Sequence, residues 1–280
     1  MLVSCVLVSY NQEDTIIQAL KSIFNQTYNN YEVIVSDDCS IDKTFSLIND
    51  FINSLPDESK SRITYLNKNT SNLGISKNVE TAFSKAKGEL VALFAGDDIS
   101  LPNRLKFAVP FFKDKSIMSY TSNISLLLSD GSIKENHDRN VHSAVYDLDH
   151  FVKFFGTKNQ VIFNGCSAVY RRNVLIKLSE RPIDAEDVTL MFYSLVLGKM
   201  VCDERICVQY RVGRMQQATN QTGFIPRLTV IDHYAGILLE VKASTSYLKS
   251  LIVPAIYKDL LYLRLPFVSI LGLCYALVSL

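Results

Sequence analysis

Glu89-Leu-Val-Ala-Leu-Phe94 runs into Ala95-Gly96-Asp97-Asp98, and the reading of this stretch decides the fold. Six consecutive apolar residues before a glycine, Leu90 to Ala95, fit a strand covered on both faces. Two adjacent carboxylates at the end of such a strand need a metal, a donor-rich ligand or a counter-ion. Tyr31-Glu-Val-Ile-Val-Ser36 ends the same way, in Asp37-Asp38-Cys39-Ser40. One Asp-Asp alone is commonly a turn or a helix cap, and Asp37-x-x-Ser40-x-Asp42 has the form of a cap. Chance capping does not place two such pairs at equivalent strand ends, and together they suggest a nucleotide-and-metal site.

Outward from these two strands, the first hundred residues alternate between two periods. Val3–Ser9 is a β-branched run ending in Tyr10-Asn11, and Arg62–Asn67 is a further strand. Between the strands, Glu13–Gln26, Asp42–Leu55 and Leu73–Lys87 carry apolar residues at helical spacing, with Gly88 expected as the last helix's C-cap. Strands a βα unit apart predict an α/β fold with a parallel sheet flanked by helices. Ligands of such sheets bind outside the carboxyl ends of the strands, where Tyr10, Asp37-Asp38 and Asp97-Asp98 all fall.

The second half is less regular. Pro102 opens a helix to Phe112, Ser116–Leu128 reads as a strand, and Asp130-Gly131 as a hairpin turn. Val161–Arg171 is a further strand, Glu186–Leu197 a helix, and Met200–Val212 a strand ending in Tyr210-Arg211. No internal repeat or low-complexity linker interrupts the chain. The expected organisation is one domain over 1–220, with a nucleotide-binding half (1–112) and a mixed acceptor-side half (113–220), followed by a helical segment at 221–280.

Composition narrows the function. In 280 residues, 29 basic against 28 acidic side chains lack the charge footprint of a nucleic-acid binder. Six cysteines (5, 39, 166, 202, 207 and 274) show no zinc-type spacing and read as buried free thiols of a reducing, cytoplasmic compartment. The first residues lack the basic start of a signal peptide. The four histidines (137, 142, 150 and 233) have no paired metal spacing.

Val8-Ser-Tyr-Asn11, Val35-Ser-Asp-Asp-Cys-Ser-Ile-Asp-Lys-Thr44, Asn72-Leu-Gly74 with Lys77-Asn78, and Lys87–Asp98 follow one another in an order and spacing that resembles the family 2 glycosyltransferases. That resemblance implies a GT-A fold and inversion at the anomeric carbon. It implies that Tyr10 and its neighbour Asn11 lie near the base, and that the Asp37-Asp38 pair meets the nucleoside through Asp38. Asp97 would hold the ribose, and Asp98 would ligate Mg²⁺ or Mn²⁺ through the diphosphate. Where the family's acidic motif often begins with Asp, this chain has Ala95. Asp184-Ala-Glu-Asp187 resembles the family's acidic acceptor-side position, making Asp187 the expected general base and Glu186 the second choice. Tyr210-Arg211 with Arg214 resembles the segment that closes over the diphosphate, and Lys77 is a further phosphate candidate. Asn164-Gly165-Cys166-Ser167 is either the wall of an acceptor pocket or a plain buried strand.

The resulting expectation is an inverting, metal-dependent transferase. It would move sugar from a nucleoside-diphosphate donor, UDP foremost, to a saccharide or lipid-linked saccharide of bacterial surface polysaccharide. A sugar-nucleotide nucleotidyltransferase would want a glycine-rich phosphate loop where Ser9–Asp14 has no glycine, and no GxGxxG supports a dinucleotide-binding domain. A non-catalytic sugar-nucleotide or glycan-binding module is the other alternative. Residues 247–280 combine an apolar helical stripe, flanking basic residues and a 16-residue uncharged run from Leu265 to Leu280. This suits peripheral contact with a membrane interface, or a helix packed on the domain.

Overall fold

The computed structural model describes residues 1–136, 142–154, 163–175 and 186–212. Expectations for Arg214, Asp184, His137, His233, Cys274 and the segment 221–280 lie outside those residues. The chain follows the order β1 (Val3–Ser9), α1 (Ile16–Phe24), β2 (Tyr31–Asp37), α2 (Thr44–Ser54), α3 (Asp57–Lys60), β3 (Ile63–Lys68), α4 (Ile75–Phe83), β4 (Leu90–Ala95). It continues through β5 (Ile99–Ser100), α5 (Arg104–Ala108), a 3₁₀ turn at Val109–Lys113, β6 (Ile117–Leu127), β7 (Ile133–Glu135), β8 (Ala144–Tyr146) and α6 (Leu148–Phe154). A second 3₁₀ turn, Gly165–Ser167, leads into β9 (Val169–Arg171), α7 (Arg172–Leu175), α8 (Glu186–Leu197) and β10 (Lys199–Arg211).

Among the described residues the strands form one sheet in the order β3-β2-β1-β4-β9-β6-β10-β5, with β7 on β6 and β8 on β10. The β3-β2-β1-β4 half is parallel throughout. Every residue of β1 and β2 is buried, as strands covered on both faces must be. Side chains alternate: Val6 and Val8 enter a core shared with α4 and α8, while Cys5 and Leu7 enter one shared with α1, α2 and α5. Helix α1 forms because Ile16, Ala19, Leu20 and Ile23 share its buried face. Helix α8 is enclosed nearly all round, since Thr189 through Leu195 are all buried.

Antiparallel β9 separates the parallel half from β6 and β10, which run parallel to each other. Three expectations need correction. Within the described part of the Val161–Arg171 run, 163–171, strand begins only at Val169, because Asn164 and Ser167 bond to β6 and turn the chain at Gly165–Ser167. The helix begun near Pro102 is a short α5 that tightens into the 3₁₀ turn at Val109. Gly88 is not a helix cap: α4 ends at Phe83 with Ser84 as its cap. Gly88 instead lies where a Cβ would come 2.7 Å from the Ser4 amide nitrogen, so it lets the chain pass close to β1. Cys5, Cys202 and Cys207 are buried and Cys39 and Cys166 half-buried, all as free thiols. No helix among the described residues is long and apolar enough to cross a membrane.

Candidate active site

The loops after β1 and β2 are laced together. The Asn11 amide donates to Ser40 Oγ (2.9 Å) and the Gln12 amide to Thr44 Oγ1 (2.7 Å), while the Ile41 amide donates to Asn11 Oδ1 (2.9 Å). Asn11 (φ 50°) and Cys39 (φ 63°) both take the left-handed backbone region to make these turns. Asn11 thus works as a loop clamp, and Tyr10 beside it stays 36% exposed on the carboxyl edge of the sheet.

Asp37 is engaged within its own loop. Its carboxylate is fully buried, with Oδ1 accepting from the Ser40 amide (2.8 Å) and Oδ2 from Ser9 Oγ (3.0 Å) and Ser40 Oγ (2.5 Å). Three donors satisfy the charge and no surface remains for a ligand, so Asp37 holds the loop. Asp38 is engaged in a different way. Its Oδ1 accepts from Asn69 Nδ2 (2.8 Å) and the Leu73 amide (2.9 Å), and its Oδ2 from the Gly74 amide (2.9 Å). Gly74 has φ 80°, a conformation suited to glycine, and opens α4. Asp38 Oδ2, with one donor, keeps accepting capacity. Lys77, in the first turn of α4, is exposed and paired with Glu80 at 3.0 Å.

The second pair behaves differently. Asp98 is buried after β4, and its Oδ1 accepts from the Arg211 amide at 3.0 Å. Burial, then the neighbouring Asp97 charge, push its carboxyl well above the usual carboxylate range; the Arg211 amide and the Arg104 and Arg211 cations offset only part of this. Asp97 is half-buried, and its carbonyl accepts from Arg211 Nε at 2.9 Å. Arg211 reaches the site from β10, and its Nη2 donates to Gln18 Oε1 at 2.7 Å. The guanidinium therefore braces the Asp97-Asp98 loop.

Glu186 and Asp187 open α8. Burial and then Asp187 push the Glu186 carboxyl up to about 7. The Asp187 side chain lies against the turn at Gly165, where a Cβ would sit 2.7 Å from its Oδ2. Burial, then Asp98, push the Cys166 thiol well up, and Asp187 and Asp97 add to the effect. The turn carrying Cys166 thus joins the two acid pairs, which lie more than 80 residues apart in sequence.

Resemblance implies a divalent cation, and the donor set fits one. Among the described residues no three His, Cys, Asp or Glu side chains converge. A Mg²⁺-type ion on a nucleotide needs only one or two carboxylates, with substrate phosphates and water completing the shell. Asp98, an acid whose burial is incompletely compensated, has that character. Two contributors escaped the sequence reading. Gln18 sits inside α1, where nothing marks it. Arg104 did carry a signal, as a lone cation among Leu101, Leu105, Ala108 and Val109.

The fold and this acid-lined carboxyl edge define an α/β domain of the GT-A class. Residues 4–179 match the profile of glycosyl transferase family 2, and the chain belongs to that family. It resembles the Escherichia coli UDP-Glc:alpha-D-GlcNAc-diphosphoundecaprenol beta-1,3-glucosyltransferase WfgD, with 32% identity over 126 residues, 45% of this chain and 47% of WfgD. An uncharacterised glycosyltransferase of Nostoc sp., alr2836, is 25% identical over 219 residues, 76% of this chain and 65% of its own. The chain therefore spans less than two thirds of either relative. The crystal structure of Staphylococcus aureus TarS 1–349 with UDP-GlcNAc superposes with a TM-score of 0.69 at 15% identity, covering 93% of this chain and 73% of TarS. At that identity the likeness is one of fold.

Proposed function

We propose that this protein is an inverting glycosyltransferase. It moves a sugar from a UDP-linked donor to a saccharide or lipid-linked saccharide acceptor in bacterial surface polysaccharide synthesis. The carrying observation is that the Gly165–Ser167 turn connects two acid pairs, one at the end of β4 and one at the start of α8: Gly165 lies against the Asp187 side chain, and Cys166 feels the charges of Asp98, Asp187 and Asp97. WfgD's activity, with its UDP-glucose donor and alpha-D-GlcNAc-diphosphoundecaprenol acceptor, and the UDP-GlcNAc held by TarS support the choice of donor and acceptor classes.

In this reading Tyr10 offers its ring to the base and Asp38 Oδ2 accepts from a base N–H. Asp97 accepts from the ribose diol, and Arg211 holds the Asp97-Asp98 loop in shape. Asp98 would hold Mg²⁺ or Mn²⁺, which neutralises diphosphate charge when bound. The acceptor hydroxyl approaches from the side of α8, opposite the leaving diphosphate, and Asp187 takes its proton as the bond forms. Glu186, titrating near neutrality, supplies the second carboxyl beside it. Contact of residues 247–280 with a membrane interface would confine the search for a lipid-linked acceptor to the surface.

Thermal shift with UDP-, GDP-, dTDP- and CMP-sugars, with and without Mn²⁺, tests the reading. Metal-dependent stabilisation by UDP-sugars alone is expected. Equal shifts with every nucleotide, or none, would remove it. For the membrane contact, the full chain should bind anionic liposomes and a chain ending at Tyr247 should not; equal behaviour would contradict that part.

A further inference from the structure

Arg104 is 1% exposed and has no carboxylate partner within salt-bridge distance among the described residues. Its guanidinium lies over the Phe94 ring, 4.4 Å from the centroid. Nη2 donates to two carbonyls at once, Leu93 on β4 (2.7 Å) and Ala168 (2.9 Å), while Nε has no partner. A buried cation satisfied mainly by carbonyls is costly, and a structure that needed only packing there would place an aliphatic side chain.

The location explains the expense. The β4–β9 ladder pairs Leu90–Ala92 with Arg171–Val169 and stops there. One step further, the Leu93 amide still reaches the Ala168 carbonyl, at a long 3.4 Å, before β9's chain turns off at Gly165–Ser167. Arg104 inserts its donor at this fork. On the far side the turn is held to β6: the Ser122 amide donates to Ser167 Oγ (2.9 Å), Asn164 Nδ2 donates to the Ser122 carbonyl (2.9 Å), and the Asn164 amide donates to Thr121 Oγ1 (3.1 Å). The turn therefore has two anchors, and on the β4 side Arg104 bridges Leu93 and Ala168 beside the long Leu93–Ala168 bond, just before the Asp97-Asp98 loop. Gly165, on the same turn, seats Asp187.

We infer that Arg104 is a positioning residue: its guanidinium fixes the end of β4 against the Gly165–Ser167 turn and so sets the spacing between the donor-side acids and Asp187. This rests on the transferase reading above. One nitrogen, Nη2, meets both carbonyls while the guanidinium plane lies on Phe94; a lysine keeps the charge but loses that stacked plane, so the Arg104→Lys variant separates geometry from charge.

The test compares wild type and Arg104→Lys in transfer kinetics, UDP affinity and the alkylation rate of Cys166, with Cys39 as internal reference. The expected result is a fall in kcat of about 10²-fold, the scale of a misplacement near 1 Å. Donor KM and UDP affinity should stay within about threefold, because binding groups are untouched. Alkylation of Cys166, slow in wild type, should rise about tenfold relative to Cys39 as its turn loosens. Wild-type kcat in Arg104→Lys, or unchanged Cys166 labelling, would overturn the inference. So would a joint fall in kcat, donor affinity and Tm, which marks a purely structural residue. If Arg104→Lys does not fold, Phe94→Leu removes the ring under the guanidinium, and the same pattern at smaller amplitude is required. A wild-type chain that neither binds nor transfers any nucleotide sugar would sink the transferase reading, and the alkylation arm would still decide whether Arg104 holds the turn.

Discussion

The acids after β2 and the acids at the head of α8 share a chemistry and differ in circumstance. Asp37 is buried with three donors on its two oxygens, and Asp38 also receives three. Glu186, by contrast, holds its proton to about 7, and Asp98 is raised by burial and by its neighbour. A fully buried carboxylate met by internal donors, as Asp37 is, holds the scaffold; one with accepting capacity left, as on Asp38 Oδ2, or buried without enough donors is set against a ligand or a proton. Adjacent acids thus look alike in sequence, and the structure sorts them by what satisfies their charge.

The largest effect expected on breaking this contrast is at Asp98. Asp98→Asn should lower transfer by roughly 10³-fold or more, the scale of losing a major electrostatic contact in the transition state. It should leave the fold intact and raise apo stability, because a buried like-charge pair is relieved. Turnover assays with circular dichroism check both; wild-type turnover would remove Asp98 from the site.

Next is Gly165→Ala, whose new Cβ would press on the Asp187 side chain. A loss of kcat on the order of 10²-fold with near-normal donor affinity is expected from a displaced base. If donor affinity falls instead, the turn belongs to the donor pocket.

The smallest effects are on stability, and they carry opposite signs. Removing Asp37 as Asp37→Ala strands buried donors at Ser9 and Ser40 and should cost about 1–3 kcal/mol. Glu186→Gln should do the reverse above neutrality. With its pKa raised from 4.5 to about 7, the folded state holds a proton that the unfolded chain has already lost. Wild-type stability therefore falls as pH rises from 4.5 to 7, and the neutral glutamine escapes that loss. Unfolding free energies should coincide for wild type and Glu186→Gln near pH 4 and diverge by ~3 kcal/mol in favour of the variant at pH 8. Parallel curves at both pH values would show that Glu186 is not held against burial.

Much of this was legible in the residues. The β1-to-β4 alternation shows because doubly covered parallel strands are uninterrupted apolar runs and their helices repeat every three to four residues. The strand-end acids show because a charge after such a run is conspicuous. The Val161–Arg171 segment misled because hydroxyl and amide side chains at Ser167 and Asn164 divert an apolar stretch from the ladder through contacts with Thr121 and Ser122, more than 40 residues away in sequence. Asp37's structural duty was hidden for a similar reason, since Ser9 and Ser40 converge on it only after folding. Gly88 was assigned to the nearest helix, whereas its neighbour in space is β1.

The central claim is that donor-side and acceptor-side acids do separable work, and Asp187→Asn tests it most directly. UDP titration with Mn²⁺ should give wild-type affinity for this variant while transfer at saturating donor falls by ~10²–10⁴-fold, the range for a lost general base. Collapse of UDP affinity together with turnover, or turnover left unchanged, would contradict the account.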